Sequence, residues 1–495
     1  MKKEFEKEKL LFKKSKDFSQ WYTDVILKSG LADYAPVKGC MVIRPYGYAI
    51  WENIQKILDE QIKKAGVKNV YFPIFIPEKL LKKEKTHVKG FSPELAVVTI
   101  GGGKELKEKL VLRPTSETII YEMFAKWIKS WRDLPILINQ WCNVVRWEKR
   151  TYLFLRTTEF LWQEGHTIHE THEQAIGEAT RALNNYVKLY RDFFAIDGIW
   201  GKKSESEKFP GAADTYAYEM LMPDGKALQG CTAHDLGQNF SKVFNIKFLG
   251  RDGKEKIPWQ TSWGLSSRSI GALIMVHGDD NGLIIPPRLA PIQIIIIPIF
   301  QGKRIDKSLE KKSEELKKIL KDFRIETDLR KEYSVGWKFN DWELKGVPLR
   351  IEIGPKEIKE KKITLVRRDT GERSLAPFSS LPSRVKKVLD LIQKNLFLKS
   401  RQYLKENTTE VFEYDHFKDI MKTKKGFLKA FWCENPKCEA KIKEETKTTN
   451  RSLPLDAPDY NPPATLPAKG RAPEEGKCIY CGKKARRRWI FAQAY

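Results

Sequence analysis

The chain has 495 residues, with 90 Lys and Arg against 64 Asp and Glu, for a formal net charge of +26. That length exceeds one ordinary core and predicts two or three domains, while the charge favours a polyanionic partner, nucleic acid first, unless a lysine-heavy genome alone sets it. No apolar run approaches the roughly 20 residues that cross a bilayer, the N-terminus lacks an apolar signal core, and seven cysteines argue against a disulfide framework; a soluble, cytoplasmic protein with no membrane partner is expected.

Residues up to Gly30 read as a basic amphipathic helix carrying Phe18, Trp21, Val25 and Ile26. From Tyr48 to Lys64, Ile50, Trp51, Ile54, Ile57, Leu58 and Ile62 recur at helical spacing, and a strand is predicted over Val67 to Pro73. Gly101 to Lys104, GGGK, lacks the spacing and the hydroxyl of a phosphate loop and reads as a glycine turn. Thr115 or Ser116 can cap the next helix, which holds Glu117 in its first turn and ends before Pro135.

The stretch Trp141 to His166, WCNVVRWEKRTYLFLRTTEFLWQEGH, predicts a hairpin that holds Arg146 and Arg156 over one cleft. Two rigid guanidinium forks suit phosphate and carboxylate, although charged strand pairs are common without such a role. His166, His169 and His172 lack the i, i+4 spacing of a zinc helix, so His169 and His172 are expected at the surface or as caps. A helix follows through Ile176, Leu183 and Tyr190, then antiparallel strands in ADTYAYEMLM and KALQGCTAHDL around a turn at Pro223 to Gly225. At Gly264 a strand passes into a helix, with Ser266 or Ser267 as cap and Arg268 near the helix start.

Pro286 to Pro291 marks a boundary. Beyond it, Ile292 to Pro298 and the alternating strands and helices up to Arg367 predict a small α/β domain with a partly parallel sheet. A helix from Arg384 to Leu404 leads to Cys433, Cys438, Cys478 and Cys481, spaced C-x4-C and C-x2-C across a loop with Pro454, Pro458, Pro462, Pro463 and Pro467. Two thiolate pairs can close a tetrahedral Zn²⁺ site, free thiols being the alternative. Cys40, Cys142 and Cys231 are left as small buried residues. The expected division is 1–285, 286–400 and 401–495.

Arg113 to Thr118 (RPTSET), the arginine hairpin, QGCTAHDLGQNFS from Gln229 and WGLSSRSIGALIMVHGDDNGLIIPPRLAP from Trp263 together resemble the prolyl branch of the class II aminoacyl-tRNA synthetases, in the same order and over nearly the whole chain. The resemblance implies an α/β (α+β) fold: an antiparallel-sheet catalytic domain, an anticodon-binding domain where GVPLRIEIGPKEI and VRRDTGE stand, and a C-terminal zinc-binding-like α/β domain of the archaeal and eukaryotic type, ending on Tyr495. It implies a ligase that joins L-proline to tRNA(Pro) with ATP and Mg²⁺, working as a homodimer through the helix Tyr48 to Lys64 and the strand Val67 to Pro73 that follows it.

Carried over residue by residue, the resemblance makes Arg146 and Arg268 catalytic and gives proline Thr115, Glu117, Arg146, Phe160, Trp162, Glu164, His166 and His234. It assigns to ATP Arg146, Glu148, Arg156, Gln229, Thr232, Ser266 and Arg268, with Thr261 as an alternative to Ser266 by proximity. Arg350, Glu352, Arg367 and Arg368 are candidates for reading the anticodon. The interval from Gly165 to Trp263 leaves no space for an inserted editing domain, so misactivated alanine is expected to be cleared elsewhere or not at all. Threonyl, seryl and glycyl enzymes share the scaffold with other pocket groups, and a binding protein that had lost the phosphate arginines is the reading from a different class.

Overall fold

A single sheet of eleven strands organises the molecule. The computed structural model describes residues 11–81, 95–300, 307–455 and 475–495. Third from one edge of the sheet, Glu159–His169 pairs antiparallel with Ile136–Val145 on one side and with Trp259–Ser266 on the other. Ala227–Gly237, Asp214–Leu221 and Ile199–Lys202 continue the antiparallel order. The sheet then passes into the C-terminal part of the chain: Thr449–Pro454 pairs with Ile199–Lys202, and Arg488–Ala492, Phe427–Phe431 and Thr408–Glu410 follow.

The helices bury one stripe each. Pro45–Lys64 starts with Pro at its first turn, where a missing N–H costs nothing, and buries Ile50, Trp51, Ile54, Leu58 and Ile62. His172–Lys188 opens on a capping box between Thr171 and Gln174 and packs Ala175, Ala179, Ala182 and Leu183 against the sheet. The strand predicted at Val67 to Pro73 shrinks to Lys68–Asn69, parallel to Ile138 and Asn139. The cause is local: the Phe72 amide donates to the Gln140 side chain at 2.5 Å, and Pro73 has no N–H to offer a ladder.

Two further expectations change. The hairpin strands stop at Val145 and resume at Glu159, so Arg156 stands on the connecting loop, about half exposed, while Arg146 sits at the strand end. Leu153, Phe154 and Leu155 are buried there, and Tyr152 and Arg156 bridge each other, which folds the loop back onto the core. His169 is no surface residue: it ends a buried strand, and its Nε2 lies 2.8 Å from the Thr167 hydroxyl. GGGK is the exposed turn between Val97–Gly101 and Lys104–Leu112, with Gly102 and Gly103 at positive φ.

The following α/β unit has strand order Ile325–Thr327, Ile294–Pro298, Leu349–Ile353, Lys362–Arg367, Arg373–Pro377, the first three parallel. Alternate isoleucines face opposite sides: Ile294 and Ile296 meet Leu309, Leu316 and Val385, whereas Ile295 and Ile297 meet Val335 and Phe339. Helix Leu381–Glu406 runs unbroken through residue 400. Beyond it Phe417, Leu428, Trp432, Ile442, Trp489 and Phe491 form a core around the cysteines. Pro458, Pro462, Pro463 and Pro467 lie outside the described residues.

Candidate active site

The central strands carry a cavity of about 500 Å³. Two arginines line it, each fixed by its Nε. Arg146 donates to the Pro114 carbonyl at 3.0 Å and lies 5.6 Å from the Phe160 ring and 5.4 Å from the Trp162 ring. Arg268, first residue of helix Arg268–His277, donates to the Leu155 carbonyl at 3.0 Å. Among the described residues the terminal nitrogens of neither fork meet a protein acceptor, so both pairs of donors remain for an anion. Burial, with Arg146 and Arg156 nearby, pushes Arg268 down to about 10, which still leaves it charged at neutral pH.

Acids and a histidine occupy the other side. Thr115 donates its hydroxyl to Glu117. Glu164 accepts from Ser116 Oγ at 2.5 Å and Gln140 Nε2 at 2.9 Å, and its other oxygen lies 3.1 Å from His166 Nε2. Ser116 thus spends its hydroxyl on Glu164, and the helix it precedes has no side-chain cap. Burial pulls Glu164 upward but His166, Ser116 and Gln140 hold it below the ordinary carboxylate value; burial pulls His166 downward but Glu164 and Glu117 hold it above the ordinary imidazole value. The two form an ion pair. Glu117 is driven up, by burial first.

His234 is the neutral counterpart. Burial, with His166 adding repulsion, pushes it down to about 3, and its Nδ1 lies 2.9 Å from Thr215 Oγ1. Gln229, Thr232 and Ser266 line the same cavity as Thr115, Glu117, Arg146, Phe160, Trp162, Glu164, His166, His234 and Arg268. Glu148 and Arg156 do not line it; they face each other at 3.8 Å on the loop, with Arg156 close enough to Arg268 to repel it. Thr261 is fully buried behind the strand, bonded to Thr167, and falls outside the site.

The loop between Ile199–Lys202 and Asp214–Leu221 adds Glu207, Lys208, Phe209 and Pro210 to the cavity. These were missed. A charged stretch such as SESEK reads as solvated loop, and the available signal was the aromatic-Pro-Gly turn just before a strand that reaches the site through Thr215. Cys142 is also more than a small buried residue: partly exposed, it accepts from Trp162 Nε1 at 3.1 Å and donates to Glu164 at 3.4 Å. Cys40 is likewise partly exposed, and Cys231 alone of the three is buried.

The other expected sites lie apart. The Sγ atoms of Cys433, Cys438, Cys478 and Cys481 all fall within 4.8 Å of one another, with Cys433 3.7 Å from both Cys438 and Cys481. A tetrahedron with metal–sulfur bonds of about 2.3 Å has edges of roughly 3.8 Å, so the four thiols fit zinc. Arg368 is withdrawn from the anticodon candidates: it is 9 % exposed and binds Asp279 through both terminal nitrogens, at 2.8 and 2.5 Å. Glu352 is buried between Arg350 and Arg373.

Residues 98–277 match the family description tRNA synthetase class II core domain (G, H, P, S and T), residues 293–388 the anticodon binding domain, and residues 414–495 the C-terminal domain of prolyl-tRNA synthetase. A proline–tRNA ligase of Natranaerobius thermophilus is 51% identical over 97% of each chain. The chain belongs to the prolyl-tRNA synthetase family. A second relative in that family, proline–tRNA ligase 2 of Clostridioides difficile, is 50% identical over 97% of this chain and 96% of its own. Two prolyl-tRNA synthetase structures from Cryptosporidium parvum superpose on the chain. The one complexed with halofuginone and AMPPNP has a TM-score of 0.91 and 43% identity, covering 98% and 99% of the two chains, and the one with L-proline and AMP has 0.90 and 41%, covering 98% and 97%. The arrangement read as archaeal and eukaryotic is shared with the Cryptosporidium structures and is carried end to end by these bacterial relatives as well.

Proposed function

We propose that the cavity joins L-proline to ATP and passes the prolyl group to tRNA(Pro), the activity of a proline–tRNA ligase. The observation that carries this is the convergence, in one cavity, of a buried carboxylate with two anchored guanidinium forks whose terminal nitrogens meet no acceptor among the described residues. In the first step the proline carboxylate attacks the α-phosphate in line and pyrophosphate leaves; in the second a hydroxyl of the terminal tRNA ribose attacks the prolyl carbonyl and AMP leaves. Neither step needs a side-chain nucleophile. Rate comes from holding two anions in contact and meeting charge as it builds.

Arg146 is suited to bridge the amino-acid carboxylate and the α-phosphate, because its fork is set against the rings of Phe160 and Trp162. Arg268, at a helix N-terminus, and Arg156, on the half-exposed loop of the hairpin, suit the outer phosphates. Glu117 with Thr115 would accept the secondary ammonium of proline, the Glu164–His166 pair holding the wall beside it. Glu148 is the carboxylate that would help hold a Mg²⁺ ion arriving with ATP, which would offset the negative charge of the phosphates. Zn²⁺ would be held by Cys433, Cys438, Cys478 and Cys481 as a structural ion, and metal analysis of the purified chain tests it at one ion per chain.

The α/β unit that matches the anticodon-binding family is the part we assign to tRNA, within the division 1–285, 286–400 and 401–495. The short edge strand Lys68–Asn69 and Tyr71, 74% exposed, support pairing of two copies there; light scattering on the purified chain decides it. Among the described residues no helix is long and apolar enough to cross a membrane. Pyrophosphate exchange with each amino acid in turn tests the main reading: exchange with proline supports it, and none with any amino acid points to a binding protein.

A further inference from the structure

The loop that closes one side of the cavity is held by the C-terminal part of the chain. Its inner end is tied to the site: the Phe209 amide donates to Thr215 Oγ1 at 2.9 Å, that hydroxyl meets His234 Nδ1, and the Phe209 ring lies 4.7 Å from the His234 ring. Its outer end is tied to helix Pro436–Thr446, where Ser204 Oγ donates to Glu439 Oε1 at 2.7 Å and Ser206 Oγ to Glu439 Oε2 at 2.5 Å. Lys443, one turn further along, approaches Glu207 at 3.4 Å. Glu439 is 5 % exposed, so losing either hydroxyl would strand a desolvated carboxylate oxygen.

The same helix leads to the cysteines. Glu439 directly follows Cys438, one of the four thiols gathered within 4.8 Å. Successive helical residues point about 100° apart, which lets Cys438 face the cluster while Glu439 faces the loop.

We propose that Glu439 is a positioning residue for the substrate cavity, clasping Ser204 and Ser206 so that the loop holds Phe209 against His234, and that order at the four-cysteine cluster reaches the cavity through this carboxylate. The effect falls on proline more than on ATP, because Phe209 and His234 stand on the side assigned to the amino acid. The kinetic part rests on the reading of the cavity as the proline and ATP site.

The test uses the full-length, zinc-loaded chain, with Glu439→Ala, the double variant Ser204→Ala/Ser206→Ala, and all three changes combined. Expected in pyrophosphate exchange is a rise of about tenfold in proline KM, with kcat and ATP KM within about twofold, and no further loss in the combined variant. Glu439→Gln, which keeps one acceptor oxygen, falls between. Hydrogen–deuterium exchange of the loop gives the second readout: the amides of Glu207 and Lys208, bonded to the Ser204 carbonyl at 3.2 and 2.9 Å, exchange faster in each variant. They also exchange faster in the parent once a chelator withdraws the metal, but gain nothing further in Glu439→Ala. Unchanged loop exchange overturns the clasp, and faster exchange with unchanged proline KM overturns its positioning role. Should Glu439→Ala not fold, the serine variant decides both points. A parent inactive with every amino acid would sink the functional reading instead, and the exchange measurement would still decide the clasp.

Discussion

His166 Nε2 stands 3.1 Å from Glu164 Oε2, with side-chain exposures of 1% and 5%. Each keeps the other charged against the pull of burial, so this carboxylate is already neutralised. Glu117 has the Thr115 hydroxyl beside it and is pushed the opposite way. Two acids in one cavity therefore differ: Glu164 already has a charged partner, and Glu117 is the one we propose for the ammonium of proline.

That division sets a pH dependence for proline. Because Glu117 is raised, it takes up a proton at a higher pH than an ordinary glutamate, near 4.3. A protonated carboxyl no longer balances the secondary ammonium, so proline KM should climb as the medium turns acidic. Glu117→Gln should raise KM about 10- to 100-fold at neutral pH, the worth of a hydrogen bond to a charged group, and flatten the slope. Proline KM measured across pH in both proteins checks this; parallel profiles would remove Glu117 from the role.

The braced pair sets a different dependence, this time of stability. His166 has a raised folded pKa, so its contribution is whole below the unfolded value of about 6.5 and fades as pH rises through the folded one. Glu164 is lowered, so its share is whole above about 4.3 and fades as pH falls through the folded value. Glu164→Gln should cost about 3 to 5 kcal/mol between those limits. Melting curves of parent and variant should converge towards alkaline pH, and a constant gap would contradict the pair.

The arginines differ by how they are held. Arg146→Lys and Arg268→Lys keep the charge but lose the fork that anchors on a carbonyl and reaches two oxygens at once. Each should lower kcat/KM in pyrophosphate exchange by about 10²- to 10³-fold. Arg156→Lys, on the exposed loop, should cost about tenfold or less, since a flexible point charge there can still reach a phosphate. Equal losses at all three positions would argue against the ranking.

Much of this was legible in the chain. The stripe Ile50, Trp51, Ile54, Leu58 and Ile62 announced its helix, and the antiparallel strands around Pro223 announced themselves by alternation. The cysteine spacing was enough to bring four thiols together. What stayed hidden depended on partners far away in sequence. Phe72 leaves the strand because of Gln140, Arg368 turns inward because of Asp279, and the loop at Phe209 belongs to the cavity because Glu439 holds its far end. No local period encodes such contacts, and a charged loop reads alike whether water or a carboxylate receives it.

One buried carboxylate sits at the joint between the C-terminal strands and the catalytic sheet. Glu219, with no exposed surface, accepts from Lys203 and from Arg451, the latter at 2.9 Å. Two cations thus share a single anion, which makes the three residues unequal. Arg451→Gln leaves a one-to-one pair of Lys203 and Glu219, whereas Glu219→Gln leaves two desolvated cations facing each other. The second change should cost about 3 to 5 kcal/mol and the first distinctly less. Denaturant unfolding of the two variants measures the difference. If Arg451→Gln proved the more damaging, the joint would depend on the guanidinium's packing and its bond to Thr449 at 2.9 Å and not on charge balance at Glu219.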